Sequence, residues 1–248
     1  MQRYFIQNEA INGKKVVIKG DDYHHIRNVM RMRPQDQVTV CDEDGNVHLA
    51  EIEEITATEV RLKMLERLEC ASELEAKVTV AMGLTRREKQ EEVLRRVTEL
   101  GASGFLTVSM ERSVVKAKEN SSVLERQKKI AKEAAEQSQR SRIPDVHGNF
   151  TFAGFLDFAE RFEIKIFAYE EEAKKNDGTL RRILKTARGK SAIVLTGPEG
   201  GISSKEAELL KSRGFVPVGL GPRILRCETA PLYVMSAFGY ELESENES

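Results

Sequence analysis

The sequence predicts an α/β protein in two parts, a small β-rich unit over residues 1–70 and a larger unit over 73–248 built on a parallel sheet. Two observations carry this. From residue 77 onward, strand-like runs alternate with helix-like runs at the spacing of βαβ units. Before that point, four short runs rich in Val, Ile, Leu and Thr are interrupted by one short helical piece. With 248 residues, 40% of them hydrophobic, the chain is long enough for one large core or two modest ones.

In the first unit the strands are read in "KKVVIKG", "DQVTVCD", "NVHLAEIEEI" and "EVRLKML". Asp44-Gly45 between the second and third is a hairpin signal. "DDYHHIRNVMRMR" reads as a short helix burying Ile26, Val29 and Met30, with Arg27, Arg31 and Arg33 outward and His24 and His25 structural. The polar run 66–77 reads as the connection. In the second unit "KVTVAMGL" is a strand, and "REKQEEVLRRVTEL" is a helix stopped by Gly101. "GFLTVSM" (strand) and "SSVLERQKKIAKEAAEQSQR" (helix) follow, then "FEIKIFAYE" (strand), "GTLRRILKTAR" (helix) and "SAIVLTG" (strand). "SSKEAELLKSR", "FVPVGLG" and a helix to about Glu243 complete the alternation. The acidic tail "ELESENES" reads as solvated.

Several function classes fall away on composition. No run of roughly 18 apolar residues offers a membrane span, and the first ten residues do not read as a signal peptide. Cys41, Cys70 and Cys227 lack metal or disulfide spacing and fit a cytoplasmic protein. The four histidines are not spaced as ligands, so no metal is expected. The net charge of −1 means that any nucleic-acid contact rests on local patches.

Four segments carry chemistry. In "IVLTGPEGGISSKEAELL" a strand ends at Leu195-Thr196, and Gly197-Pro198-Glu199-Gly200-Gly201 makes a loop before a helix capped by Ser203 and Glu206. A tight turn needs one glycine; three allow backbone to approach a ligand. In "VGLGPRILRCETAP" a strand end is followed by Arg223 and Arg226, and Pro231 suits the first turn of the last helix. Strand ends are where parallel sheets bind ligands. In "EAAEQSQRSR" Glu133, Gln137 and Arg140 share a helical face, and residues 112–142 carry nine Lys/Arg against four Glu. "YHHIRNVMRMR" offers three arginines to phosphates.

Together "LTGPEGG", "GLGPRILRCETA", "EAAEQSQR" and "HHIRNVMR" resemble the RsmE family. These are SPOUT-superfamily methyltransferases acting on uridine N3 of 16S ribosomal RNA, and the resemblance spans nearly the whole chain. The sequence departs from the family at Cys227, where Thr is common, at Ile202, where Phe is common, and at Pro34-Gln35, where Gly is often seen. The resemblance implies a trefoil-knotted α/β domain preceded by a PUA-like β-barrel, and a cytoplasmic homodimer acting on the small ribosomal subunit. It implies that S-adenosyl-L-methionine is held by Leu195, Thr196, Gly197, Glu199, Gly200, Gly201, Leu220, Gly221, Ile224, Leu225 and Thr229. Arg3, Arg27, Arg31, Arg33, Gln137, Arg142 and Arg223 are the expected RNA contacts.

Uracil N3 carries a proton, so methylation requires alignment of N3 and stabilisation of the charge that spreads to the carbonyl oxygens. Arg226 is the first choice for that role and Arg140 the second. Glu199 or Glu228 either takes the proton or orients an arginine. A SPOUT ribose 2′-O-methyltransferase is the nearest rival, but "LRCETAP" lacks the Asn-containing, serine-rich loop of that group. A non-catalytic RNA-binding assembly factor would need no cofactor pocket. A dehydrogenase is weakest, because the glycine loop does not follow the first strand.

Overall fold

The structure, a computed structural model, describes residues 1–116, 121–173 and 178–244. Residues 117–120 of the basic stretch and 245–248 of the acidic tail lie outside the described residues. The chain divides into two compact units: residues 1–73 with 135–142, and residues 74–134 with 143–248.

The first unit is a six-stranded sheet. Its strands are β1 (Arg3–Phe5), β2 (Ile11–Asn12), β3 (Lys15–Ile18), β4 (Gln37–Cys41), β5 (Val47–Ile55) and β6 (Val60–Leu68), in the order β1-β4-β5-β6-β3-β2. Only the β1–β4 pairing is parallel. Period-two alternation explains β6, where Val60 and Leu62 are buried and Arg61 and Lys63 exposed. Tyr4, Ile18, Val38, Val40 and Ile52 join them in one core. The hairpin expected at Asp44-Gly45 is present: Gly45 has φ +81, and its N–H donates to the Asp42 carbonyl at 3.0 Å.

The expected helix of this unit differs in a way that matters later. A short α1 (Gly20–His24) runs into one turn of π-helix over His25–Val29, where the Met30 N–H donates to the His25 carbonyl at 2.9 Å. The wider turn rotates the register. Ile26 stays fully buried, but Val29 and Met30, expected inside, are 58% and 40% exposed. Met32 packs against the core in their stead.

The second unit is a three-layer α/β/α domain. Its strands are β7 (Lys77–Gly83), β8 (Gly104–Ser109), β9 (Asp145–Thr151), β10 (Ile164–Ala168), β11 (Ser191–Thr196) and β12 (Val216–Val218), all parallel, in the order β12-β10-β11-β7-β8-β9. The helices are α2 (Arg87–Glu99), α3 (Ser121–Gln137), α4 (Phe152–Ala159), α5 (Glu170–Ala173), α6 (Thr179–Leu184), α7 (Ser204–Ser212) and α8 (Thr229–Glu243). On one sheet face Val78, Val80, Met82 and Val194 meet Val93, Leu94 and Val97 of α2 and Val234, Met235 and Phe238 of α8. On the other, Ala81, Leu106, Ile193 and Leu195 meet Phe155 and Leu156 of α4 and Leu210 of α7. Burial on both faces is why these strands read as continuous apolar runs. Gly101, at φ +89, stands just past α2, where the sequence places the stop.

Strands β1 and β9 and helix α4 have no counterpart in the sequence reading. The face expected to join Glu133, Gln137 and Arg140 is also broken: α3 ends at Gln137, Gln139 takes φ +58, and the Arg140 N–H turns back to the Ala135 carbonyl at 2.9 Å. Arg3 closes this end, donating to the Gln139 carbonyl and, at 2.8 Å, to the Arg140 carbonyl.

Candidate active site

Strands β10, β11 and β12 lie side by side and parallel, so their carboxyl ends open on the same edge of the sheet. The loop after β11 begins at Thr196, which is fully buried with its Oγ1 unpartnered. The Gly201 N–H donates to the Pro198 carbonyl at 2.9 Å, and Gly201 sits at φ +70. The loop lies on the end of β7 so closely that a Cβ at Gly83 would come within 2.3 Å of the Pro198 nitrogen. Helix α7 follows with the expected capping box: the Ser203 hydroxyl accepts from the Glu206 N–H at 3.3 Å, and the Glu206 carboxylate accepts from the Ser203 N–H at 3.0 Å. The same two residues hold the 110–113 turn, because the Ser203 hydroxyl donates to the Glu111 carboxylate at 2.7 Å and the Glu111 N–H donates to Glu206 at 2.8 Å.

The loop after β12 is built on Leu220, which is buried, and Gly221, at φ +91. Leu225 packs back on the core, whereas Ile224 is 81% exposed. The Arg226 carbonyl accepts from the N–H groups of Thr229 and Ala230, at 2.9 and 3.1 Å, which starts α8. The Arg226 guanidinium is exposed and, among the described residues, engages no carboxylate.

The two loops enclose an open cleft of about 730 Å³. Of the residues expected to hold a cofactor, Gly197, Glu199, Gly200, Gly201, Leu220, Gly221, Ile224 and Leu225 line it. Leu195 and Thr196 lie buried in the strand beneath, and Thr229 begins α8 without lining the cleft. Arg223, Arg226 and Glu228 also line it. Arg112 and Lys89, which sequence reasoning missed, line it too, as do Ala168, Tyr169 and Glu170 at and just after the end of β10. The Arg112 Nη1 donates to the Gly200 carbonyl at 3.2 Å.

Lys89 projects from α2 and bridges the loops, its Nζ 3.3 Å from Glu199 Oε1 and 3.3 Å from Glu228 Oε2. Both contacts raise the ammonium's pKa, Glu199 first. The Cys227 thiol donates to Glu228 Oε2 at 3.0 Å. That donation first, then a backbone hydrogen bond and the Lys89 ammonium, hold the Glu228 carboxyl below the ordinary carboxylate range against its burial, while burial and the same hydrogen bond push the thiol up to about 11. Glu228 is therefore ionised, paired and a weak proton acceptor.

Arg140 is not in this cleft. It lies in the first unit, with its guanidinium nearly fully buried against the Glu73 carboxylate. Arg3 is buried and spent on the carbonyls that close α3. Arg142 reaches the Asp44 carbonyl, and Arg27 donates to the Tyr23 hydroxyl and, at 3.1 Å, to the Thr56 carbonyl. Arg31, Arg33 and Gln137 are exposed. Among the described residues no cluster of His, Cys, Asp or Glu is able to hold a metal ion, and no helix is long and apolar enough to cross a membrane.

The donor set of the cleft suits a nucleoside bearing an amino acid. Leu220 and Leu225 give it apolar lining, Glu199, Glu228, Lys89, Arg112, Arg223 and Arg226 a charged one, and glycines at positive φ let backbone come close to a ligand. The comparisons agree in kind. An RNA methyltransferase domain profile matches residues 72–239, and an RNA methyltransferase PUA domain profile matches residues 18–65. The ribosomal RNA small subunit methyltransferase E of Bacillus subtilis (strain 168) is 38% identical over 250 residues, covering 98% of each chain. That of Synechocystis sp. is 35% identical over 98% of this chain and 78% of its own. The crystal structure of the Neisseria gonorrhoeae ribosomal RNA small subunit methyltransferase E, bound to S-adenosyl methionine, superposes with a TM-score of 0.83 at 26% identity, covering 97% of each chain. The parallel-sheet unit is thus the SPOUT-type α/β methyltransferase fold and the small β unit its PUA domain. The two domain profiles, in their order, and the full-length similarity place this chain in the ribosomal RNA small subunit methyltransferase E family.

Proposed function

We propose that this protein methylates N3 of a uridine in 16S ribosomal RNA, using S-adenosyl-L-methionine held in the cleft at the ends of β10, β11 and β12. The carrying observation is the cleft itself, two glycine-bearing loops at the ends of the parallel strands on either side of β10, with the exposed Arg226 lining it, engaged by no carboxylate among the described residues. When bound, the cofactor supplies a methyl group already activated as a sulfonium, so the chain's residues need only position and discharge the base. The uridine must be unpaired or drawn from its stack to present N3. As the N3 proton leaves to solvent, negative charge spreads to the uracil carbonyl oxygens, and the Arg226 guanidinium stabilises it. Glu228, already paired with Lys89 and Cys227, serves orientation rather than proton transfer. Leu220 and Leu225 would supply the apolar wall for the adenosine, and Glu199, paired with Lys89, would give the cofactor a charged neighbour. Arg223 meets RNA phosphate.

We also read the enzyme as a cytoplasmic homodimer. The exposed Ile224, with Tyr233 and Tyr240 on the outer face of α8, supplies apolar surface for such an assembly.

The test is mass spectrometry of 16S ribosomal RNA nucleosides from cells with and without this protein, complemented by parent or Arg226→Ala. Loss of N3-methyluridine, restored by the parent alone, is expected. Single-turnover rates of Arg226→Ala should fall about 10²-fold, the scale of one lost oxyanion donor, while cofactor affinity stays near the parent's. An unchanged nucleoside profile would remove the assignment.

A further inference from the structure

The turn that leads out of the π-helix departs from an ordinary helix end in three ways. The wide turn points Val29 and Met30 outward, although the helical period would bury them. Arg31 takes φ +53 and Gln35 φ +77, left-handed conformations that favour glycine. Residues 23–35 carry Arg27, Arg31 and Arg33 and no acid. An adjacent exposed apolar pair shares this turn with the exposed Arg31 and Arg33, while the Asp36 carboxylate accepts from the Arg33 N–H at 2.7 Å, and such a pair has no use for plain solvation. It does not fit a second apolar protein surface either, since burying it would bring desolvated arginines along. Strained backbone and π-turns that persist in a fold tend to present something.

We propose that Val29 and Met30 form an apolar tip that contacts an unstacked RNA base, while Arg31 and Arg33 hold the flanking phosphates. The small unit would then select RNA with an unpaired segment over an uninterrupted double helix. An A-form helix keeps its base faces stacked and offers the tip nothing but phosphate and ribose, whereas a loop or bulge offers a base face. Met30 suits the role because its thioether is flexible and polarisable and adapts to any base. Arg27 has a lesser part, being committed to Tyr23 and the Thr56 carbonyl. This inference rests on the RNA-methylation reading and specifies the substrate shape that the first unit reads.

The experiment compares binding of the full-length protein to a stem–loop oligoribonucleotide and to a fully paired duplex of the same length, across a salt series. The parent should prefer the stem–loop. The double variant Val29→Ser, Met30→Ser should lose about tenfold in stem–loop affinity, the scale of one base contact, and with it most of the preference. Its salt slope should stay at the parent's value, because no phosphate contact is removed. The variant Arg31→Ala, Arg33→Ala should instead lower the slope on both RNAs. Met30→Leu should behave as the parent. Both serines replace exposed side chains, so an unchanged melting temperature is the folding control. Equal binding of loop and duplex by the parent, or an undiminished preference in the double-serine variant, would overturn the proposal. So would a shift in oligomeric state produced by the serines alone, which would assign the tip to a second copy of the chain. Absence of salt-dependent RNA binding by the parent would remove the RNA reading itself along with the tip.

Discussion

Lys89 shows how a single residue organises the cleft. Its ammonium is the meeting point of carboxylates from two loops that are far apart in sequence. Each ion pair is partly exposed, so neither alone contributes much. Their joint effect is geometric, since one charge sets the separation of the two loop edges before a ligand enters. Lys89→Met keeps the aliphatic stem and removes the charge. It is expected to weaken S-adenosyl-L-methionine binding roughly five- to tenfold, the scale of two solvent-screened pairs, and to speed amide exchange over residues 197–201 and 220–228 in the free protein. Lys89→Arg, which restores the charge, should recover most of both. Equal exchange in parent and Lys89→Met would show that the loops hold themselves. No local signal marks this lysine, one of several cations in "RREKQEEVLRR". The place of Arg226 on the cleft was legible because it follows a strand end in a glycine-bearing segment, whereas Arg140 leaves the helical face expected for it because α3 stops three residues before it.

At the scale of elements, α7 links helix capping to the site. Its first turn serves both the helix, through the reciprocal Ser203–Glu206 bonds, and the turn that carries Arg112, through Glu111. Ser203→Ala removes the cap and the tie to Glu111 together. The cap alone contributes about 1 kcal/mol, so a fall in Tm of about 2–4 °C is expected in a chain of this size. Thermal unfolding followed by circular dichroism measures it, and a Tm equal to the parent's would mean that Glu206 alone caps α7. The capping box was readable in advance because it is a three-residue spacing. The π-turn was not, since Ile26, Val29 and Met30 fit an ordinary helical stripe and no local pattern shows that Met32 takes the place of the last two on the core.

At the scale of the whole molecule, the net charge of −1 bears on how RNA is bound. A near-neutral protein gains little from long-range attraction to RNA and depends on several local contacts made at once. A structured ribonucleoprotein presents an unpaired uridine and surrounding phosphates in fixed positions, whereas loose RNA must first be ordered. Methylation of assembled small subunits is therefore expected to outpace that of protein-free 16S RNA. Rates measured side by side at physiological salt decide this, and equal rates would count against it.

The sequence by itself determined the fold class, the order of the main strands and helices, and the two loops that carry the site. Each of these is written in a short-range pattern: β-rich runs, helical periods, glycines at strand ends, a capping box. What only the tertiary structure decided is which charged groups meet. Arg3 and Arg140, read as functional, are spent inside the first unit, while Lys89 is drawn between Glu199 and Glu228. An arginine on a buried turn and one on a cleft rim are identical in sequence. Only the path of the whole chain determines whether a carbonyl, a carboxylate or open solvent lies within reach.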